Sequence, residues 1–126
     1  MVAVDLGGSL IKSTLAAPGR LDCPVRRTWL TGDGAVPDLL RTLADLMREA
    51  RSAGRPVAAV GVAVPGVVDD ARGHVIRAVN LGIENLDLRA LLERECGVPV
   101  YVGHDIRCAG NAEYSVNAGS FVPNWS

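Results

Sequence analysis

The chain has 126 residues, enough for one domain with a single buried core, and its composition of 48% hydrophobic and 21% charged residues is that of a folded protein. The formal net charge of −1 includes no basic block, so neither a nucleic acid nor a membrane surface is the expected partner. Three cysteines without paired spacing and the lack of a signal-peptide pattern predict a soluble, cytoplasmic protein.

The amino-terminal segment predicts three strands. Two apolar runs, Val2–Leu6 and Leu10–Ala17, flank the tripeptide Gly7-Gly8-Ser9. This spacing is typical of a tight antiparallel hairpin, because two glycines allow a short turn. A third strand is predicted between Cys23 and Leu30.

A helix and a buried strand are predicted next. Apolar residues recur at helical spacing from Val36 to Ala50, and Asp33 is a candidate N-cap for this helix. The Val/Ala run Val57–Val64 is typical of a strand buried on both faces, as in a parallel sheet covered by helices. The strand is predicted to end at Pro65-Gly66.

The remaining pattern predicts a helix, a strand and a further helix. Asp87 is a candidate N-cap for a short helix that ends at Gly97. Pro99–Val102 follows as a second buried strand, and Asp105 begins the next helix. The order of these elements predicts an α/β layered domain with a mixed sheet.

The first candidate site is the segment around the predicted hairpin turn. Asp5 precedes the two glycines, whose backbone N–H groups could point at an anion, and the carboxylate could lie near a divalent metal. The alternative is that Gly7 and Gly8 simply form the turn. The glycines lead into a strand and not a helix, so the segment differs from a Walker loop and from a dinucleotide fingerprint.

Three further candidate segments follow predicted buried strands or precede helices. Pro65-Gly66 lies at the carboxyl end of a strand, where α/β sheets bind ligands, or it forms a structural turn. Asn80-Leu81-Gly82 adds an amide near the same edge, or a plain turn. In Gly103-His104-Asp105 the carboxylate is a general base or a helix cap, and His104 is a ligand or a surface residue.

Taken in order, these segments resemble the first half of the ROK family, which comprises bacterial glucokinase-like sugar kinases and sugar-responsive repressors. The resemblance covers roughly residues 2–116 and rests on the order and spacing of four segments. They are Val4–Ser9, Gly61–Asp69, Asn80–Gly82, and Leu91–Val100 leading to His104-Asp105 and Glu113. The implied fold is a lobe of the actin-like, ribonuclease H-like ATPases: α/β, with a mixed sheet that begins with an antiparallel hairpin and carries helices on both faces.

The resemblance also implies ligands and site residues. The ligands are a hexose and Mg-ATP, with Asp5 near the magnesium ion, through water or directly, and Asp105 as the catalytic base that accepts the proton of the sugar hydroxyl. Two departures stand out, because the family usually has Asn where this chain has His104, and Thr-Lys where it has Ser9-Leu10. By the same resemblance, the nucleotide is contacted by Gly7, Gly8 and Ser9. The sugar is contacted by Pro65, Gly66, Asn80, His104 and Asp105.

The resemblance finally predicts an incomplete cleft. Residues 1–116 correspond to the amino-terminal lobe and residues 117–126 to an irregular tail, while the second lobe and the zinc cluster of many members have no counterpart here. The chain alone is therefore expected to be inactive, and exposed apolar surface is expected to favour homo-oligomers. Repressors of the family carry a winged helix-turn-helix before the segment that corresponds to Asp5–Gly8, whereas only four residues precede Asp5 here. A kinase is therefore favoured over a repressor. An inactive remnant is the third alternative.

Overall fold

The computed structural model describes residues 1–15, 25–32 and 34–103. These residues form two sheets and two α-helices. The strands are β1 (Val2–Leu6), β2 (Leu10–Leu15), β3 (Arg26–Trp29), β4 (Val60–Ala63), β5 (Val67–Asp69), β6 (His74–Ala78), β7 (Ile83–Asp87) and β8 (Val100–Gly103); the helices are α1 (Ala35–Ser52) and α2 (Leu88–Cys96).

The larger sheet has five strands in the order β3-β2-β1-β4-β8. The first three strands are antiparallel to their neighbours, as the Gly-Gly turn predicts, whereas β4 and β8 join β1 in parallel. The register pairs Val2 with Val60, and Val60 with Val100, so aliphatic side chains of three parallel strands lie on one face. The predicted mixed sheet, its opening hairpin and its buried strands are confirmed.

Helix α1 packs against β1 and β2 with Leu39, Leu43 and Leu46, which are almost fully buried. Its N-cap position is Gly34, which has no side chain to accept a hydrogen bond. The prediction of Asp33 as the N-cap is therefore wrong by one position, and Asp33 itself lies outside the described residues.

The carboxylate of Asp38 stabilises the start of α1 instead of a cap residue. It accepts hydrogen bonds from the backbone N–H of Thr31 at 2.9 Å and from the Thr31 hydroxyl at 2.8 Å, and it pairs with the guanidinium of Arg41. These contacts fix the loop between β3 and α1, because they tie a loop residue to the first turn of the helix. The donors hold the pKa of Asp38 below its ordinary value, with the Thr31 N–H as the largest cause.

Helix α2 has the predicted signals at both ends. Asp87 accepts a hydrogen bond from the N–H of Ala90 at 3.1 Å, and Gly97 takes the left-handed conformation just after the last turn. Leu88 and Leu92 are fully buried, and α2 contacts both α1 and β8. The helix predicted from Asp105 lies outside the described residues, so the prediction of helices on both faces of the sheet depends on a part of the chain that is not described.

The second sheet, in the order β5-β6-β7, was not predicted. Its antiparallel strands occupy the segment between Pro65-Gly66 and Asp87, which the sequence pattern left as a connection. Each strand has three to five residues, and charged side chains such as Arg77 and Glu84 interrupt the apolar alternation. The α/β class is nevertheless confirmed. Neither described helix is long and apolar enough to cross a membrane.

Candidate functional site

The candidate site lies at the carboxyl edge of the three parallel strands. Asp5 of β1 is in register with Ala63 of β4, and Ala63 is in register with Gly103 of β8. The N–H of Val64 donates to the carbonyl of Gly103 at 2.9 Å, so the pairing of β4 and β8 continues beyond the strand ends. The loops that leave these strands therefore start side by side, which is where ligands bind in open α/β sheets.

Asp5 is an ionisable residue at this edge, and it lies on β1, the central strand of the five-stranded sheet. Its side chain is half-buried, and burial raises the pKa of the carboxyl above its ordinary value, while the nearby positive charge of Lys12 acts in the opposite direction. Asp5 and Lys12 are direct cross-strand partners in β1 and β2. The carboxylate is thus held at the surface of the sheet edge beside a cation, without being neutralised by an ion pair among the described residues.

The two glycines of the Gly7-Gly8-Ser9 turn have different structural roles. The N–H of Gly7 donates to the carbonyl of Leu10 at 3.0 Å, and a Cβ at Gly7 would lie 2.9 Å from that oxygen. Gly7 is therefore required by the hairpin itself. The Gly8 φ lies outside the left-handed region, and a Cβ there would meet only the Cβ of Asn80 at 3.7 Å, which is an ordinary contact.

The proximity of Gly8 to Asn80 brings two predicted site segments together. Asn80 lies in a 3₁₀ turn, Val79–Leu81, which follows β6 and ends at Gly82 in the left-handed conformation. Both Gly8 and Asn80 are exposed. A residue predicted to contact the nucleotide and one predicted to contact the sugar are thus neighbours.

The Pro65-Gly66 turn joins the parallel sheet to the second sheet. Gly66 has φ 147°, and a Cβ there would lie 2.3 Å from the carbonyl oxygen of Arg77 in β6. Only glycine fits this position, because the backbone approaches β6 too closely for a side chain. Since β6 leads directly into the turn that carries Asn80, the edge continues from Gly66 to Asn80 and on to Gly8.

The structure brings together Asp5, Gly7, Gly8, Ser9 and Asn80, and it connects Pro65-Gly66 to them through β6. His104 and Asp105 lie outside the described residues, directly after Gly103. The sequence analysis did not identify Lys12 as a neighbour of the site. It could have been found by counting residues outward from the hairpin turn, because this pairs Asp5 with Lys12 on the opposite strand.

A profile of the ROK family matches residues 1–124. The chain therefore belongs to the ROK family, and its structural neighbours share the α/β fold with a mixed sheet. Those neighbours include kinases and regulators.

Two solved kinases illustrate the similarity. The inorganic polyphosphate/ATP-glucomannokinase of an Arthrobacter species is 30% identical, with a TM-score of 0.66, over 97% of this chain and 50% of that one. The ROK glucokinase of Streptomyces griseus, solved with glucose and AMPPNP, is 29% identical with a TM-score of 0.63, over 81% of this chain and 32% of that one.

The curated relatives that match include a repressor and a transcriptional dual regulator. The xylose repressor of Caldicellulosiruptor bescii is 29% identical over 91 residues, which is 69% of this chain. The transcriptional regulator NagC of Escherichia coli is 32% identical over 80 residues, or 64% of this chain. The chain spans about a fifth of the length of these curated relatives, since each match covers 20% of the relative.

Proposed function

We propose that this chain forms the phosphate-binding lobe of an ATP-dependent hexose kinase of the glucokinase type. The two kinases that resemble it at 29% and 30% identity are named for glucose or for glucose and mannose, which supports a hexose as the acceptor. The carboxyl edge of β1, β4 and β8 supplies the site.

The observation that carries the proposal is the glycine at position 8. Neither its backbone conformation nor the space around it requires glycine, in contrast to Gly7. A residue without a side chain at an exposed turn is explained if a ligand approaches the backbone closely. The N–H of Gly7 donates within the turn. The N–H groups of Gly8 and Ser9 would therefore be the donors to a phosphate.

Asp5 fits the role of a magnesium contact. Mg²⁺ is commonly bound by one or two carboxylates together with phosphate oxygens and water, so a single carboxylate beside a phosphate-binding turn is sufficient. When bound, the metal would neutralise charge on the phosphates. Burial disfavours the charge on Asp5, which a cation would offset.

The sugar would lie on the side of Pro65, Gly66 and Asn80. His104 and Asp105 would complete this side, since they follow Gly103 at the same edge. Asp105 would accept the proton of the attacking hydroxyl as the γ-phosphoryl group moves to that oxygen and ADP leaves. In a chimera with the second lobe of a ROK glucokinase, Asp105→Asn should lower kcat by about two or more orders of magnitude. A simple helix cap would tolerate this change, because Asn also caps helices well.

The test compares the two glycines. Gly8→Ala should leave the unfolding midpoint nearly unchanged but weaken binding of Mg-ATP, measured by calorimetry, by about tenfold, because the methyl group excludes the phosphate. Gly7→Ala should lower the unfolding midpoint, since the added carbon meets the Leu10 carbonyl. Undiminished Mg-ATP binding by a stable Gly8→Ala protein would contradict the proposal.

A sugar-responsive regulator is the second candidate, and the curated repressor relatives favour it. A regulator of this kind would bind a sugar at the Asn80 side without needing Mg-ATP. Sugar binding that persists in wild-type protein with no detectable Mg-ATP binding would therefore support the regulator over the kinase.

A further inference from the structure

The loop between β3 and α1 connects a buried carboxylate to the candidate site. The carboxylate of Asp38, in the first turn of α1, accepts hydrogen bonds from the backbone N–H and the hydroxyl of Thr31. Arg41 pairs with the same carboxylate and also donates to the Thr31 hydroxyl at 3.2 Å. These contacts hold one peptide group of the loop, the one that joins Leu30 to Thr31, against the helix.

The preceding peptide group of the same loop reaches the Gly-Gly turn. Its N–H belongs to Leu30 and donates to the carbonyl of Ser9 at 3.0 Å. Leu10 and Trp29 are in register in β2 and β3, so this bond continues the pairing of the two strands beyond the end of β3. Leu30 is therefore bonded to the turn on one side and tied to Asp38 on the other.

Few rotatable bonds separate the Asp38 carboxylate from the proposed phosphate donors. Because peptide groups are planar, only φ and ψ of Leu30 lie between the peptide held by Asp38 and the peptide bonded to Ser9. Only φ and ψ of Ser9 lie between its carbonyl and its N–H. A shift of the loop therefore changes the direction of an N–H group that the proposed function assigns to phosphate binding.

The loop itself contributes little rigidity. Gly32 and Gly34 have positive φ values of 98° and 114°, and glycine has the widest choice of backbone conformations. The Asp38 carboxylate is almost fully buried, so the loss of its donors would leave an unpaired charge away from water, which is costly. The charge of Asp38 therefore holds Thr31 in place where the glycines would let the loop move.

We propose that Asp38 is a positioning residue for the phosphate-binding turn, which it fixes through Thr31 and Leu30. This inference rests on the proposed function, because it gives Asp38 a role in nucleotide binding at Gly8 and Ser9. Asp38 acts on the turn and not on the ligand. The Asn80 side, proposed to bind the sugar, follows β6 and is held by a different set of contacts.

Two variants of α1 test this with a matched change of charge. Asp38→Asn should weaken Mg-ATP binding about fivefold in calorimetry performed well below the unfolding midpoint. Asp45→Asn removes the same charge from an exposed position of α1 and should change the Kd for Mg-ATP less than about twofold. Binding of glucose should also change less than about twofold in Asp38→Asn.

The loop residue provides a second pair of variants that leave Asp38 charged. Thr31→Val removes the hydroxyl that donates to the carboxylate and should weaken Mg-ATP binding in the same direction as Asp38→Asn. Thr31→Ser keeps the hydroxyl and should bind Mg-ATP as the wild type does. This pair also supplies the test if Asp38→Asn does not fold.

Hydrogen exchange of single amides separates positioning from a general loss of stability. In Asp38→Asn the exchange rate of the Leu30 N–H should rise about fivefold more than that of the Val60 N–H, which donates to Pro99 far from the loop. Equal acceleration of both amides would overturn the proposal, as would equal losses of Mg-ATP and glucose binding or unchanged Mg-ATP binding. Failure of the kinase proposal is seen separately, in Mg-ATP binding that does not respond to Gly8→Ala, because exchange at Leu30 does not require a nucleotide.

Discussion

Asp38 organises the loop between β3 and α1, a role that its position in the sequence does not indicate. Its carboxylate is only 3% exposed, yet it is kept charged by the N–H and hydroxyl of Thr31 and by Arg41. The side chain acts across the loop between β3 and α1, whereas the sequence pattern predicted Asp33 as the N-cap of this helix. A charged residue in the first turn of a helix is common, so the sequence alone could not identify Asp38 as the anchor.

Asp38→Asn should therefore lower the urea unfolding midpoint at neutral pH, because the amide cannot accept all three contacts as a charged group does. The folded-state pKa is lowered, so the stabilisation is complete above the unfolded pKa, near 3.9, and is lost as the pH falls through the folded-state pKa. The difference between the two proteins should shrink in acid. Asp45→Asn, an exposed position of the same helix, is the control and should have little effect.

Replacing Asp5 by Asn should change the stability of the protein in the opposite direction to the same replacement at Asp38. Burial raises the folded-state pKa of Asp5, so the ionised side chain is disfavoured in the folded protein at neutral pH. Asp5→Asn should raise the thermal unfolding midpoint slightly while it weakens binding of Mg-ATP. A variant that loses stability would show instead that the Asp5–Lys12 attraction outweighs the burial of the charge.

At the level of elements, the hairpin and α2 could be predicted from local sequence signals, whereas the second sheet could not. The hairpin followed from two glycines between apolar runs, and α2 followed from Asp87 and Gly97 at its ends. The second sheet was not predicted, because its strands are short and charged residues such as Arg77 and Glu84 interrupt their apolar pattern. Strands of this length depend on their neighbours for stability, so local patterns carry little information about them.

The cap of α2 gives an element-level prediction. Asp87→Ala should cost about 1 kcal/mol of unfolding free energy, because the N–H of Ala90 loses its acceptor. Asp87→Asn should retain most of the stability, since Asn is also a good N-cap. Urea denaturation of the three proteins measures this, and equal losses for Ala and Asn would mean that the negative charge matters more than the hydrogen bond.

For the whole molecule, the site depends on distances that no local pattern contains. Gly8 and Asn80 are far apart in the sequence but are neighbours because β6 returns the chain to the hairpin turn. The sequence pattern predicted that Asn80 lies near the same edge of the sheet as Pro65-Gly66, and the register places Asp5, Ala63 and Gly103 side by side at the carboxyl edge of the parallel strands. The order of neighbours along that edge required the register of five strands.

Exposed apolar side chains give the prediction at this scale. Val67, Ile76 and Val79 lie in or beside the second sheet and are 55%, 48% and 70% exposed. Homo-oligomers were predicted from such surface, and we expect Val79→Thr combined with Ile76→Thr to reduce self-association in sedimentation velocity experiments without changing the unfolding midpoint. Unchanged sedimentation of a self-associating protein would place the contact elsewhere.

The central position of β1 has a consequence for the order in which the protein folds. Its antiparallel partner β2 is next in the chain, so the hairpin can close within microseconds. Its parallel partner β4 can join only after the long intervening segment, which contains β3 and α1, has been ordered. The turn at Gly7 and Gly8 can therefore exist before the rest of the edge. If the hairpin belongs to the nucleus, substitutions in the β1–β2 turn should slow folding, while substitutions in β8 should mainly speed unfolding.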